Sequence, residues 1–213
     1  MAIELNPQEK QMHLRSLDAV VDRFAEKYLG VFAKETIERV VFESYASLLR
    51  TATSNQQFLV ARAEKFSFDR LRALFVSQDD SRKLGPEVLF VCVQNAGRSQ
   101  MAMAFMQAMA GDKVTVMSAG SMPAAEVNAN AIAVMNELGL SLEGAFPKPL
   151  TDDVVRAADV VITMGCGDAC PLYPGKRYLD WNLEDPAELD LDGVRRVRDE
   201  IKRRVEQLLS ELL

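Results

Sequence analysis

A chain of 213 residues allows one large domain or two small ones, and 48% hydrophobic with 26% charged residues is an ordinary globular composition. The net charge of −6 is uneven: eleven Lys+Arg stand against ten Asp+Glu before Gln78, and fourteen against twenty-one from Asp79 onward. The acidic second part argues against a nucleic-acid substrate, because phosphate backbones are held by basic surfaces. No apolar run approaches the ~20 residues of a membrane helix. The start Met1-Ala2-Ile3-Glu4-Leu5-Asn6-Pro7 lacks the basic region and apolar core of a signal peptide. Three cysteines, all after residue 90, do not suit a secreted disulfide framework. The expected compartment is a reducing cytoplasm, with no membrane partner.

Residues 1–78 read as an all-α three-helix bundle. Asn6 caps a first helix, Pro7 fits its first turn and Glu9 completes a capping box. Leu14, Leu17, Val20, Val21, Phe24 and Tyr28 follow at helical spacing, and Gly30 stops the run. A second run carries Ile37, Val40, Val41, Tyr45 and Leu48 and ends near Thr51; a third, capped by Ser54 or Asn55, carries Leu59, Ala63, Phe66, Leu71 and Phe75. Balanced charge and long, uniform helices argue against a DNA-binding helix-turn-helix. A bundle this small has a marginal core, and its surplus of large apolar residues predicts a homodimer through this domain. His13, remote from any cysteine or acidic cluster, reads as a surface or satisfied histidine, not a ligand or base.

Residues 79–86, polar and ending in Gly85-Pro86, read as a linker. From 87 to 213 short apolar strands alternate with helices. Strands are expected at Glu87–Val93, Lys113–Ser118, Asp159–Met164 and Arg177–Leu179. Helices are expected at Ser99–Ala110, about Glu126–Leu138, from Thr151, and at Val194–Leu212. This pattern predicts an α/β fold, a parallel four-stranded sheet with helices on both faces. Ligands of such sheets sit at the carboxyl ends of the strands, where Cys92, Ser118 and the loop after Met164 fall.

The chemistry centres on Cys92-Val93-Gln94-Asn95-Ala96-Gly97-Arg98-Ser99-Gln100. A buried strand runs into a thiol, a turn able to aim successive N–H groups inward follows, and a helix begins near Ser99 with its positive end at the same spot. An oxyanion held by residues 93–99 has a nucleophile beneath it and the Arg98 fork beside it, and such neighbours favour thiolate over thiol. A plain core cysteine at a strand end is the alternative. Protonating a departing oxygen needs an acid. With no histidine in this half, Asp185 in Trp181-Asn182-Leu183-Glu184-Asp185-Pro186 is the candidate, with Glu184 as the other choice and a simple surface turn as the bland one.

Cys166 and Cys170, in Gly165-Cys166-Gly167-Asp168-Ala169-Cys170, have three readings. A zinc site needs four ligands, which only Cys92 and the remote His13 could complete, so no metal is expected. Two inert loop cysteines are possible on sequence grounds. So is a relay in which Cys166 resolves an adduct on Cys92 and Cys170 then displaces Cys92 by thiol–disulfide exchange.

Taken together, Cys92-x5-Arg98-Ser99-Gln100-Met101-Ala102, Ser118-Ala119-Gly120, the cysteine loop and Asp185-Pro186 resemble the arsenate reductases built on the low-molecular-weight tyrosine phosphatase fold. The resemblance covers about residues 86–213. It implies arsenate in the Cys92 loop, attack of Cys92 on arsenic, Asp185 as the acid, and arsenite release as the second thiol attacks. It also implies thiolate stabilisation by Ser99 and a loop-organising role for Asn95. Phosphatases of this fold usually carry cysteine and proline where this chain has Gly97 and Gln100, which favours arsenate over a phosphatase activity. Met103 replaces the glutamate that binds potassium in some members, so no ion site or cofactor is expected. Thioredoxin-coupled members space the two redox cysteines more widely, and short-spaced loops occur in members that use mycothiol with a mycoredoxin, the alternative reductant. Three cysteines suit an internal relay ending in an exposed disulfide, so thioredoxin is the expected partner.

Overall fold

The computed structural model of the chain describes residues 5–52, 58–166 and 170–213. It divides into two units, Met1–Asp79 and Asp80–Leu213. In the first, α1 (Pro7–Lys27), α2 (Lys34–Thr51) and α3 (Leu59–Ser77) pack against one another. The capping box forms: Glu9 N–H donates to Asn6 Oδ1 at 2.9 Å, and Asn6 N–H to Glu9 Oε2 at 2.8 Å. Such a cap stabilises a helix start by about 1 kcal/mol. Leu17, Val20, Ile37, Val40, Val41, Phe66 and Leu71 supply the core, each almost fully buried. His13 is buried and satisfied, its Nδ1 2.8 Å from Tyr45 Oη. Arg70 crosses from α3 to α2, donating to Ser44 Oγ and the Val40 carbonyl and pairing with Glu43. Ser54 and Asn55, the expected caps of α3, lie outside the described residues.

The second unit begins with a helical turn at Asp80–Arg82. Lys83 Nζ bonds Asp159 at 2.6 Å, which ties residues expected as linker to this unit. Four parallel strands follow in the order β2-β1-β3-β4: β1 (Glu87–Cys92), β2 (Thr115–Gly120), β3 (Val160–Met164) and β4 (Arg177–Asp180). All six β1 residues are buried, as expected of a central strand covered on both faces. Val88, Phe90 and Cys92 join one core with α4 (Arg98–Ala110), α5 (Ala129–Asn136) and α7 (Leu191–Leu212). The short α6 (Asp152–Ala157) also packs on β1.

The ends of these elements differ from the sequence expectation. Strand β2 starts two residues later because Gly111–Lys113 form a helical turn. Helix α5 is shorter, since the Asn128 side chain accepts from Ala131 N–H and sets its start. Helix α7 begins three residues earlier, with Asp190 accepting from Gly193 N–H as its cap. Among the described residues no helix is long and apolar enough to cross a membrane.

Candidate active site

Strand register places the site before any side chain does. Cys92 is level with Gly120 on one neighbouring strand and Met164 on the other, so three loops leave the sheet from one row. The loop after Cys92 folds back over β2. A Cβ added at Gly120 would lie 2.8 Å from both Asn95 N and Val93 O, so only glycine admits the loop here.

Every carbonyl from Cys92 to Ala96 is held by a donor outside the loop's concavity. Cys92, Val93, Gln94 and Ala96 accept from the N–H groups of Ser121, Met122, Ala124 and Asn128, at 2.8–3.2 Å. Asn95 accepts from Gln100 Nε2 at 3.0 Å. In a planar trans peptide an outward carbonyl turns the following N–H the other way. The N–H groups of residues 93–97 therefore face away from these anchors, and Asn95 N–H donates to Cys92 Sγ at 3.2 Å. Helix α4 starts directly afterwards at Arg98 and adds its positive end. The result is an anion nest over a thiol.

Asn95 is fully buried and adopts φ 48°, the left-handed region, which costs most non-glycine residues roughly 1–2 kcal/mol and which asparagine tolerates through local side-chain hydrogen bonds. Its side chain repays that locally: Oδ1 accepts from Lys148 N–H at 2.8 Å and from Gln100 at 3.1 Å, and Nδ2 donates to Ser99 Oγ at 2.8 Å. Because Lys148 N–H can only donate, the Asn95 amide has one orientation. Ser99 Oγ then accepts from Asn95 and lies 3.0 Å from Cys92 Sγ, where its hydroxyl can donate to a thiolate.

Arg98 donates through Nη2 to Asp185 Oδ2 at 2.5 Å and through Nη1 to the Leu183 carbonyl at 3.2 Å. This draws the 183–186 segment onto the Cys92 loop. Asp185 also accepts from Ala187 N–H at 3.0 Å and so caps the helical turn Pro186–Glu188. Glu184, the other carboxylate weighed from sequence, is exposed, and it is Asp185 that Arg98 engages. Pro186 rests against Gly97 so closely that a Cβ there would meet Pro186 Cγ at 2.8 Å. The cysteine found at this position in phosphatases has no room in this arrangement.

Cys166 lies two residues beyond β3, with Sγ 3.9 Å from the carbonyl of Val91, the residue before Cys92. Burial pushes its thiol above the ordinary cysteine value, and negative charge at Cys92 and Asp180 adds to that. Cys170 is also buried, and burial pushes it up to about 11, with charge on Cys166 contributing. Beside it opens a cleft of about 490 Å³ lined by Thr163, Cys170, Pro171, Leu172, Tyr178 and Asp180. Tyr178 Oη accepts from Tyr173 N–H and donates to the Pro171 carbonyl, which holds the chain just after Cys170. Residues 167–169 lie outside the described residues. All three cysteines are free thiols. Among the described residues no group of three His, Cys, Asp or Glu side chains could hold a metal.

The structure thus brings Cys92, residues 93–99 and Asp185 together, with Cys166 beside them and Cys170 on the adjoining cleft. Sequence reasoning missed the outer anchors at residues 121–128, the Lys148 N–H and the Gln100 amide. Only the extended Pro147-Lys148-Pro149 run hinted at a segment laid against the site.

Two family models match: low molecular weight phosphotyrosine protein phosphatase over residues 87–213, and the N-terminal domain of protein-tyrosine-phosphatase-like proteins over residues 17–75. Among solved structures, the thioredoxin-dependent arsenate reductase of Corynebacterium glutamicum is 46% identical, covers 94% of this chain and 97% of its own, and superposes with a TM-score of 0.83. Glutaredoxin arsenate reductase of Synechocystis sp. is 36% identical over 129 residues, 59% of this chain and 98% of that protein. Arsenate reductase 1 of Staphylococcus epidermidis is 38% identical over 123 residues, 56% of this chain and 92% of that protein. With one family model matched over residues 87–213 and arsenate reductases matched over nearly their full length, the chain belongs to the arsenate reductases of the low molecular weight phosphotyrosine protein phosphatase family.

Proposed function

We propose that this protein reduces arsenate to arsenite in a reducing cytoplasm and that thioredoxin regenerates it. The observation that carries the reading is a nest of inward N–H groups over Cys92 with Cys166 one strand away. Arsenate sits in the loop of residues 93–99 with Arg98 on its oxygens. Cys92 thiolate attacks arsenic, and Asp185 gives its proton to the oxygen that leaves as water. Cys166 thiolate then attacks Cys92 Sγ: the S–S bond forms, the As–S bond breaks, and its electron pair stays on arsenic, which departs as arsenite. Cys170 attacks Cys166 and frees Cys92, leaving a 166–170 disulfide for thioredoxin to reduce. Burial pushes the Cys166 and Cys170 thiols above the ordinary cysteine value, so each gives up its proton before it attacks. The 46% identical, thioredoxin-dependent relative supports this reductant over mycothiol.

The test is anaerobic arsenite production with thioredoxin, its reductase and NADPH, in wild-type, Cys166→Ser and Cys170→Ser proteins. Turnover by the wild type and loss of repeated turnover in both variants is expected; full turnover in either variant overturns the relay. Arsenite formation only with mycothiol and a mycoredoxin overturns the choice of reductant. The N-terminal bundle serves as the dimerisation domain in this reading, supported by Met12, Leu14, Leu29, Val31 and Phe58 on its exposed surface. Light scattering of the full chain reads a dimer if that is right, and a monomer refutes it.

A further inference from the structure

Four of the five carbonyls that shape the oxyanion loop are anchored by backbone N–H groups of residues 121–128; the fifth, on Asn95, is not. A side chain fills that gap. Gln100 is fully buried on the first turns of α4, and its Nε2 donates to Asn95 O at 3.0 Å, Asn95 Oδ1 at 3.1 Å and Phe146 O at 3.1 Å. One NH2 group thus serves three acceptors, while Gln100 Oε1 has no hydrogen-bond partner among the described residues. Buried acceptors are rarely left unpaired, and an orphan of this kind calls for a reason. Here the amide is held with its donor side toward Asn95, although the opposite face then lacks a donor.

We propose that Gln100 is a positioning residue that sets both the anion nest and the direction of the hydrogen-bond chain into Cys92. By holding Asn95 O outward it turns the Ala96 N–H inward, completing the run of donors. By donating to Asn95 Oδ1 beside Lys148 N–H, it reinforces the amide orientation that Lys148 sets, with Nδ2 on Ser99 Oγ and the Ser99 hydroxyl left to donate to Cys92 Sγ. Gln100 touches neither the sulfur nor the oxyanion. Its Phe146 bond ties the loop to the 146–149 segment, which meets β2 through the bridge of Gly120 with Pro149. A proline at this position has no amide to donate, so phosphatases with that residue must hold the loop differently.

The inference rests on the oxyanion-loop reading above, and the experiment separates the two. In full-length Gln100→Met, which keeps shape and loses the donor, the rate of Cys92 alkylation by iodoacetamide at pH 7 should fall about tenfold, the size expected when a hydrogen bond supporting a charged group is weakened. At pH 10 the rate should match wild type. The Kd for inorganic phosphate, followed by loop amide NMR shifts, should rise by a similar factor. Equal alkylation at both pH values, or an equal loss at both, overturns the inference. Wild-type protein whose loop ignores both phosphate and arsenate overturns the underlying reading instead. If Gln100→Met does not fold, the wild type still decides. The Gln100 carboxamide protons should resist solvent exchange and shift with phosphate in step with Ala96 N–H, and rapid exchange without response refutes the role.

Discussion

Replacing Gly97 by alanine tests how the acid-bearing segment is seated. A Cβ at this position meets Pro186 Cγ at 2.8 Å, where apolar atoms need about 4 Å, so the shortfall is about 1 Å. Pro186 is buried and its ring locks its own φ, so it yields by moving with its neighbours. Asp185, the adjacent residue, moves with it and lengthens the 2.5 Å contact to Arg98. Displacing a catalytic group by about 1 Å costs on the order of 100-fold in rate, and overpacking costs about 1–3 kcal/mol of stability. Gly97→Ala should therefore lower kcat for arsenate by roughly 10- to 100-fold while Cys92 alkylation by iodoacetamide stays within about threefold of wild type. Adding Pro186→Ala removes the clashing ring and should recover part of the lost kcat, a non-additive pair of the kind expected for residues in contact. A Gly97→Ala enzyme with wild-type kcat, or a double variant with no recovery, would refute the reasoning.

Three further outcomes follow from the same structure. Cys170, pushed up to about 11 by burial, is protonated at neutral pH; its alkylation, resolved by mass, should climb about tenfold per pH unit from about pH 7 to 10, and a plateau below about pH 9 would contradict its burial. Glu200 is held down to about 2 by Arg203 and Arg204, so its contribution is present above the ordinary glutamate value and fades as pH falls from about 4.5 toward 2. Glu200→Gln should then cost at most about 1 kcal/mol at pH 7, the limit for exposed pairs, and the gap to wild type in urea unfolding should close on acidification through that range. Tyr45→Phe removes the partner of buried His13 and should destabilise the bundle by about 1 kcal/mol in urea unfolding, with arsenate turnover unchanged.

Much of this was legible in the chain because local chemistry and global position agree. The Asn6–Glu9 box, the apolar strands and the glycine and proline stops each act over a few residues, so α1 and the sheet follow from reading in order. The candidate nucleophile was equally visible, since Cys92, Arg98 and Ser99 lie in one short run. What escaped is whatever depends on distant backbone. Nothing in Ser121-Met122-Pro123-Ala124 announces that its N–H groups anchor a loop some 30 residues earlier, because backbone donors carry no residue signature. The early start of α7 was missed for a milder reason: Asp190 is a good cap, but the apolar periodicity begins only at Val194. Glu184 and Asp185 are equivalent in composition and adjacent in sequence; only the Arg98 contact separates them.

The shared row of Cys92, Gly120 and Met164 has a consequence for how the protein comes into being. Parallel neighbours drawn from around residues 87, 115 and 160 are non-local pairs, which slow folding and leave functional geometry to its last stages. Until β1 has found both partners, Cys92 has no anchored loop above it and Cys166 no fixed place beside it. A one-residue slip of β3 against β1 would turn alternate side chains to the opposite face. Under the proposed relay, exchange chemistry is thereby tied to completion of the sheet: a nascent or misregistered chain carries three separated thiols, and only the finished one brings Cys166 beside Cys92.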